Sequence, residues 1–347
     1  MMNAEILVEV RRGGIVESIH RGHLAVVDGD GNLIASLGKP ETVTFTRSAG
    51  KPFQAIPFLL SGAAERFGFT ETEIALACAS HNGEEIHTTT TARMLEKAGF
   101  SETDLRCGAH EPFSSEIARE LICRGKKPSQ LYNNCSGKHA AMLAFAKQIN
   151  APTENYDSPG NPIQQQILEI VARFSDLPRD EIGIGIDGCS VPNFALPIIN
   201  MARMFARLVL PPENFDGELR EACRRVITAM MSYPEMIGGE EPKRLDTLLM
   251  RVLRGQIVSK IGAEGVYTAG VLPSPRWKRG LGIALKIEDG SDRRARPVAV
   301  LEVLRQLGIL EPSEHESLKP FARIELRNHR KTLVGEAVPN FALKYNQ

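Results

Sequence analysis

The chain carries no surplus of either charge: Lys+Arg and Asp+Glu both number 42 in 347 residues. A global field for nucleic acid or an anionic membrane surface is thereby excluded. No apolar run approaches membrane-spanning length, and a start bearing Glu5, Glu9 and Arg11-Arg12 does not read as a signal peptide. Cysteines are few, six in all (78, 107, 123, 135, 189 and 223), and they are scattered. That spacing is not a disulfide framework, so reduced thiols or metal ligands are expected, with a cytoplasmic location as the default. Internal repeats, low-complexity tracts and long linkers are missing as well.

What is present is an ordinary globular composition, 42% hydrophobic and 24% charged. The length suits one large domain or two intimate ones. Residues 5 to 37 read as an antiparallel meander: Ile6–Val10, Ile15–Ile19, Leu24–Val27, a turn at Asp28-Gly29-Asp30-Gly31-Asn32, and Leu33–Leu37. The turn has the look of a calcium loop but lacks the later glutamate and the flanking helices, so a hairpin is expected. Glu41–Phe45, with Thr42, Val43 and Thr44, suits a strand. Residues 53 to 175 read mainly as helices, among them Ile74–Ala79 capped by Thr70 and Glu73, Thr88–Ala98, Ser114–Arg124, Ala140–Ala146 and Asn161–Phe174. Ile182–Ile186 restarts a strand, and a helix kinked at Pro197 is expected from Phe194. Helices at Phe215–Met231, Leu245–Leu253 and Arg294–Leu307 accompany strands at Ile257–Lys260, Val266–Ala269, Leu281–Ile287 and Leu333–Val338. The expectation is a single domain over 1–347 of the α/β (α+β) class, with a mainly antiparallel sheet flanked by helices. A sheet subdomain covers about 1–50 and 255–347, and a helical subdomain about 53–250.

Five polar clusters interrupt this pattern. Thr46-Arg47-Ser48-Ala49-Gly50-Lys51-Pro52-Phe53 places Ser-x-x-Lys where a strand turns into a helix, near the positive end of the helix dipole. On a helix, positions i and i+3 share a face, so Ser48 and Lys51 can meet. A serine hydroxyl becomes a nucleophile when a base takes its proton, and a lysine can be that base when its surroundings keep it neutral. The other clusters are Ser80-His81-Asn82-Gly83, Asn133 to His139, Asp187-Gly188-Cys189-Ser190, and Lys260-Ile261-Gly262 at the end of a strand. An early Ser-x-x-Lys with a late Lys-x-Gly on a strand resembles the serine β-lactamase and penicillin-binding group. The chain departs from it in having Lys-Ile-Gly for Lys-Thr-Gly and no clear Ser-Asp-Asn. Cys135 and Cys189 each sit in a Gly/Ser-containing turn, and thiolates favour soft ions such as zinc. From the residues alone His139 is the more orthodox third ligand, beside the less usual Lys138. Cys78, Cys107, Cys123 and Cys223 read as packing residues.

Taken in order, Thr46 to Gln54, Ala79 to Glu84, Asn134 to His139, Asp187 to Pro192 and Lys260 to Gly265 resemble the L-asparaginase II family of the Rhizobium etli type, the class 3 asparaginases. The resemblance spans about Glu5 to Val338. It implies a serine β-lactamase and glutaminase-like fold, a homodimer, and hydrolysis of L-asparagine to L-aspartate and ammonia. It implies two Ser/Lys pairs, Ser48 with Lys51 and Ser80 with Lys260, and a zinc held by Cys135, Lys138 and Cys189. A lysine must lose its proton to bind metal, which zinc can drive. Ser48 is expected to attack, Lys51 to take its proton, and Ser80 with Lys260 to relay protons, while backbone N–H groups hold the oxyanion. Arg47 suits a substrate carboxylate, His81 and Asn82 an amide or α-amino group, and Asp187 joins them as a substrate-binding residue. The alternatives are a glutaminase or other serine acyl hydrolase of the same fold, or a non-catalytic relative that binds zinc or an amino acid. Both Ser/Lys pairs being intact argues against the last.

Overall fold

Alternation and β-branching in the first 40 residues produce long paired strands, and the computed structural model, described over residues 4–241, 243–311, 313 and 315–346, shows what they build. The strands in chain order are β1 (Glu5–Arg12), β2 (Ile15–Asp28), β3 (Leu33–Leu37), β4 (Val43–Phe45), β5 (Gly183–Ile186), β6 (Pro192–Pro197), β7 (Ile257–Ile261), β8 (Val266–Val271), β9 (Leu281–Ile287), β10 (Ile324–Arg327), β11 (Leu333–Pro339) and β12 (Lys344–Tyr345). Nine of them form one sheet in the order β10-β11-β1-β2-β9-β8-β7, with β3 on β2 and β12 on β3. Its registered pairs are antiparallel. The architecture is α/β, a mainly antiparallel sheet with helices.

The chain divides into two compact units. The sheet unit takes residues up to Ala49, Leu196–Leu210 and Val252 onward. Residues 1–3 of the expected sheet subdomain lie outside the described residues. The two expected strands Ile15–Ile19 and Leu24–Val27 are one strand, β2: its first half pairs β1 and its second half pairs β9 and β3. Only the second half is uniformly buried, which is why the two halves read as separate strands. Helix Arg296–Gln306, opened by Pro297, covers the sheet as expected. The Asp28–Asn32 turn is a hairpin: Asp28 Oδ1 accepts from the N–H groups of Asp30 and Asn32. The guanidinium of Arg279 occupies the Asp30 carboxylate, so a side-chain cation stands where a loop ion would.

One expected helix is corrected. Phe194–Pro197 belongs to strand β6, and the helix runs Ile198–Val209. A residue preceding proline is pushed out of the helical region, so Leu196 stays extended before Pro197, whose own backbone is extended at φ −58°, ψ 145°. The helix then packs on β9, β2 and β8 within the sheet unit, although its sequence neighbours had placed it with the helical subdomain.

The helical unit takes Gly50–Ala195 and Pro211–Arg251. Four of its helices start just after a residue whose side chain caps them. Thr70 and Glu73 form a reciprocal capping box on Glu71–Ala77. Ser114 caps Ser115–Cys123, Asn161 caps Pro162–Ser175 and Asp216 caps Gly217–Ser232. Each such cap is worth about 1 kcal/mol. Helix Lys51–Leu60 is buried along all but its last residue. Phe53 meets Phe174 edge-on at 5.2 Å, and Phe174 meets Phe215 at 5.0 Å. Helix Ser136–Gln148 is buried through Ala146, carrying Lys138 and His139 inside with it. Charged and polar groups held this deep require internal partners, and those partners define the site. Among the described residues no helix is long and apolar enough to cross a membrane.

Candidate active site

Strand β4 ends at Phe45, a tight 3-10 turn runs Arg47–Gly50, and Lys51 opens the next helix with Pro52 in its first turn. Ser48 therefore sits at a strand-to-helix turn, as the sequence implies. Arg47 adopts φ 49°, a left-handed conformation that non-glycine residues rarely take and that concentrates at functional turns. Within the sheet unit this turn lies against the end of β7: a Cβ on Gly262 would come 2.9 Å from the Thr46 carbonyl oxygen. Only glycine fits there. Arg47 Nη1 stands 3.9 Å from Glu264 Oε1. Lys260, on β7, is fully buried and its Nζ donates to the Ile261 carbonyl at 3.1 Å.

In the helical unit Lys51 is 1% exposed. Its Nζ donates to the carbonyls of Ala79 at 2.5 Å and Asn134 at 3.4 Å, and lies 2.9 Å from Ser80 Oγ. The two carbonyls can only accept, whereas the hydroxyl can accept or donate. An ammonium gives all three protons to these partners. A neutral amine gives two to the carbonyls and turns its lone pair to the Ser80 hydroxyl, which is the geometry of a base on a serine. The structure thus brings Lys51 to Ser80.

The residues after Ser80 face inward. Both nitrogens of His81 are engaged: Nδ1 accepts from Gly83 N–H at 3.2 Å, so Nε2 carries the proton and donates to Ser136 Oγ at 2.9 Å. Burial, with the charges of His87 and Lys51 behind it, lowers the His81 imidazole well below its usual range, so the ring is neutral. Asn82 is wholly buried; its Oδ1 accepts from Arg244 Nη1 at 3.1 Å and its Nδ2 donates to Glu84 Oε1 at 3.3 Å. The sequence sets both against the substrate, and in the fold their hydrogen bonds also hold the segment that carries Ser80. The cause is that the loop leaves helix Glu71–Ala77 into the interior, where every polar group must be paired.

The expected zinc ligands lie in the helical unit. Lys138 Nζ donates to Cys189 Sγ at 3.0 Å. A hydrogen bond from Cys135, reinforced by the Lys138 charge, lowers Cys189 to about 5, while that bond and burial push Cys135 up to about 12. Burial works against the Lys138 ammonium, but Cys189 and Cys135 together raise it above its usual value. A lowered Cys189 thiol beside a raised Lys138 ammonium favours opposite charges on the two. Asp187, half-buried, has its carboxylate 3.9 Å from Cys189 Sγ. Among the described residues no three His, Cys, Asp or Glu side chains are placed to hold a metal ion, so a zinc here needs the lysine. Two soft thiols and one amine suit zinc once Lys138 gives up its proton.

His139 is less suited to join them. Arg106 N–H donates to the Tyr156 hydroxyl at 2.9 Å, and the Tyr156 O–H then has His139 Nδ1, 2.7 Å away, as its acceptor. This network assigns the ring proton to Nε2, which is buried without a partner among the described residues. With the Nδ1 lone pair committed to Tyr156, the ring has none left for a metal while this network stands. Burial and the Lys138 charge hold this imidazole down to about 3. Arg244, Glu84 and Tyr156 were not assigned roles from sequence. Their longer-range hydrogen bonds reach residues 17 to 164 positions away, which no local pattern announces.

A buried lysine amine on a serine hydroxyl suits acyl transfer, and the family match makes the protein an amidohydrolase. The chain belongs to the L-asparaginase II family, whose model matches residues 8–339. Among solved structures it is similar to the glutaminase YbgJ of Bacillus subtilis in covalent complex with 5-oxo-L-norleucine, at 12% identity over 83% of this chain and 87% of that one, with a TM-score of 0.40. It is similar also to Mglu in its glutamate form, at 14% identity over 84% of this chain and 62% of that one, with a TM-score of 0.44. Overlaps this loose bear on neither substrate nor mechanism. No curated protein matches the chain.

Proposed function

We propose that the protein hydrolyses L-asparagine to L-aspartate and ammonia through an acyl-enzyme. The observation that carries the reading is the buried Lys51 Nζ at 2.9 Å from Ser80 Oγ, within a chain of the L-asparaginase II family. Ser48, in the turn that leads into Lys51, attacks the side-chain carboxamide carbon. Lys51 takes the serine proton, and Ser80 with Lys260 passes a proton to the departing nitrogen as the C–N bond breaks. Ammonia leaves, and water cleaves the ester to aspartate with the same groups returning the proton. Backbone N–H groups, that of Ser48 included, hold the oxyanion. Arg47 receives the α-carboxylate and Asp187 the α-ammonium. The buried His139 Nε2–H is a donor available to a ligand oxygen.

Cys135, Lys138 and Cys189 would hold zinc, which when bound supplies a Lewis acid that polarises or positions the substrate. A homodimer follows from the family resemblance, and the cytoplasm is the default compartment for six scattered cysteines. A second reading is favoured by the same 2.9 Å contact: Ser80 itself attacks, with Lys51 as its base. Ammonia release measured on asparagine and glutamine, together with ring opening of a β-lactam, tests the proposal. Turnover confined to glutamine replaces the substrate, and binding of asparagine without turnover of any of the three points to a non-catalytic relative.

A further inference from the structure

Ser80 owes its place to contacts outside its own helix. Its N–H donates to the Ile237 carbonyl at 3.0 Å, and the N–H of Asn82 donates to the Gly238 carbonyl at 2.9 Å. The Ser80 carbonyl accepts from Arg244 Nη1 at 3.0 Å. The same Nη1 reaches Asn82 Oδ1, and Asn82 Nδ2 reaches Glu84 Oε1. The Glu84 carboxylate then accepts from the backbone N–H groups of Glu240, at 2.9 Å, and Glu241, at 3.1 Å. A guanidinium, an amide and a carboxylate thus form one hydrogen-bonded line. Because cation and anion sit at its two ends, the amide has one orientation: its oxygen to Arg244, its nitrogen to Glu84. Gly239 admits the line at φ 114°, since a Cβ there would come 2.2 Å from Glu84 Oε1 and 2.8 Å from Asn82 Nδ2. The Arg244 side chain is 14% exposed, so its bonds face little competition from water.

We infer that Arg244, acting through the Ser80 carbonyl and the Asn82–Glu84 line, is the positioning residue that holds Ser80 Oγ against Lys51 Nζ. This rests on the proposed amide hydrolysis for its consequence in rate, though not for the geometry. Proton transfer from a serine tolerates little slack, and a misplacement of about 1 Å can lower a rate on the order of 100-fold. Arg244 touches no reacting atom in this scheme. Its loss acts on turnover and leaves substrate affinity alone.

The experiment compares wild type with Arg244→Gln, Arg244→Lys, Glu84→Gln and Ser80→Ala. The variants are assayed for ammonia release across pH, and hydrogen exchange is measured on the full-length protein. For Arg244→Gln the expected result is a kcat lower by ~10- to 100-fold with KM within about twofold. Arg244→Lys should recover part of the loss, and the pH–rate profile of the Gln variant should shift. Exchange should quicken together at 80–84 and 238–241 in Arg244→Gln and, less strongly, in Glu84→Gln. Exchange unchanged at 80–84 overturns the inference whatever the rate does. A rise in KM with unchanged kcat overturns it too, by making Arg244 a binding residue. If Ser80→Ala keeps full turnover, the role given to Ser80 fails, and exchange alone decides whether Arg244 positions the segment. Should Arg244→Gln not fold, Glu84→Gln carries the same test from the solvent end of the line.

Discussion

Lys51 Nζ lies 2.9 Å from Ser80 Oγ, although 29 positions separate them in the chain. Ser-x-x-Lys read as a local motif couples Lys51 to Ser48 alone. The fold brings a different serine, Ser80, to that amine, and the two hydroxyls differ in setting. Ser80 is buried and pinned on both sides of its peptide unit, whereas Ser48 sits half-buried in a turn. A nucleophile must be reached by substrate and a relay must be shielded, which favours Ser48 for attack and Ser80 for proton transfer.

Ser48→Ala is therefore expected to lower asparagine turnover by at least ~1,000-fold with an unchanged fold, the scale seen when a nucleophile is removed. A diazo-ketone analogue of asparagine that alkylates the attacking serine should add its mass to the peptide containing Ser48. Labelling on the Ser80 peptide, with turnover surviving in Ser48→Ala, would exchange the two roles.

Metal content separates the candidate ligands. One zinc per chain is expected by elemental analysis of protein purified without added metal, and loss of it in the Cys135→Ala/Cys189→Ala double variant. His139→Gln should retain its zinc, because Tyr156 keeps the ring proton on Nε2. Undiminished zinc in the double variant would remove the thiols from the ligand set, and zinc lost from His139→Gln would bring the imidazole into it.

Acid stability carries the mark of the buried imidazoles. An unfolded histidine titrates near pH ~6.5, while burial and Lys138 hold His139 down to about 3 and burial lowers His81 in the same direction. The unfolded chain then binds more protons at acid pH. Their contribution is fully present above about pH 6.5 and is lost as the pH falls through that value toward the folded pKa. Between pH 7.5 and 5.5 His139 alone should account for a loss of about 1.4 kcal/mol. Urea unfolding of metal-free wild type and His139→Gln at the two pH values isolates it: the wild type should lose more. Equal losses would mean that the imidazole is charged in the fold or reached by water.

Much of the architecture was legible because its signals are local. Thr70 with Glu73, Ser114, Asn161 and Asp216 are side chains that cap the helix beginning at the next residue, and β1, β3, β7, β8 and β9 follow apolar runs between turns. Strands β10 and β12 escaped notice, being short and charged, the first half-exposed and the second exposed throughout. The closeness of Lys138 to Cys189, 51 positions apart, has no local signal and was expected only through the family motifs. The inward turn of His81 and Asn82 was not, because a polar side chain announces a hydrogen bond without saying whether its partner is a ligand or a distant backbone. Arg244 shows the same limit, with partners 162 and 164 positions away.

Gly239 offers a measurement of the Glu84 contact itself. At φ 114° an alanine is strained, and its methyl would also press on Glu84 Oε1 at 2.2 Å. Gly239→Ala should cost about 1–3 kcal/mol in urea unfolding, part from the backbone and part from the collision. Only the collision depends on Glu84. Glu84→Ala removes the colliding oxygen, and the Glu240 and Glu241 N–H groups it leaves are at the surface, where water can take them. The double variant should consequently lose less than the sum of the two single variants, by ~0.5 kcal/mol or more, a coupling typical of residues in contact. Strict additivity would mean that the loop moves aside for the methyl and that the carboxylate does not hold residues 239–241 in place.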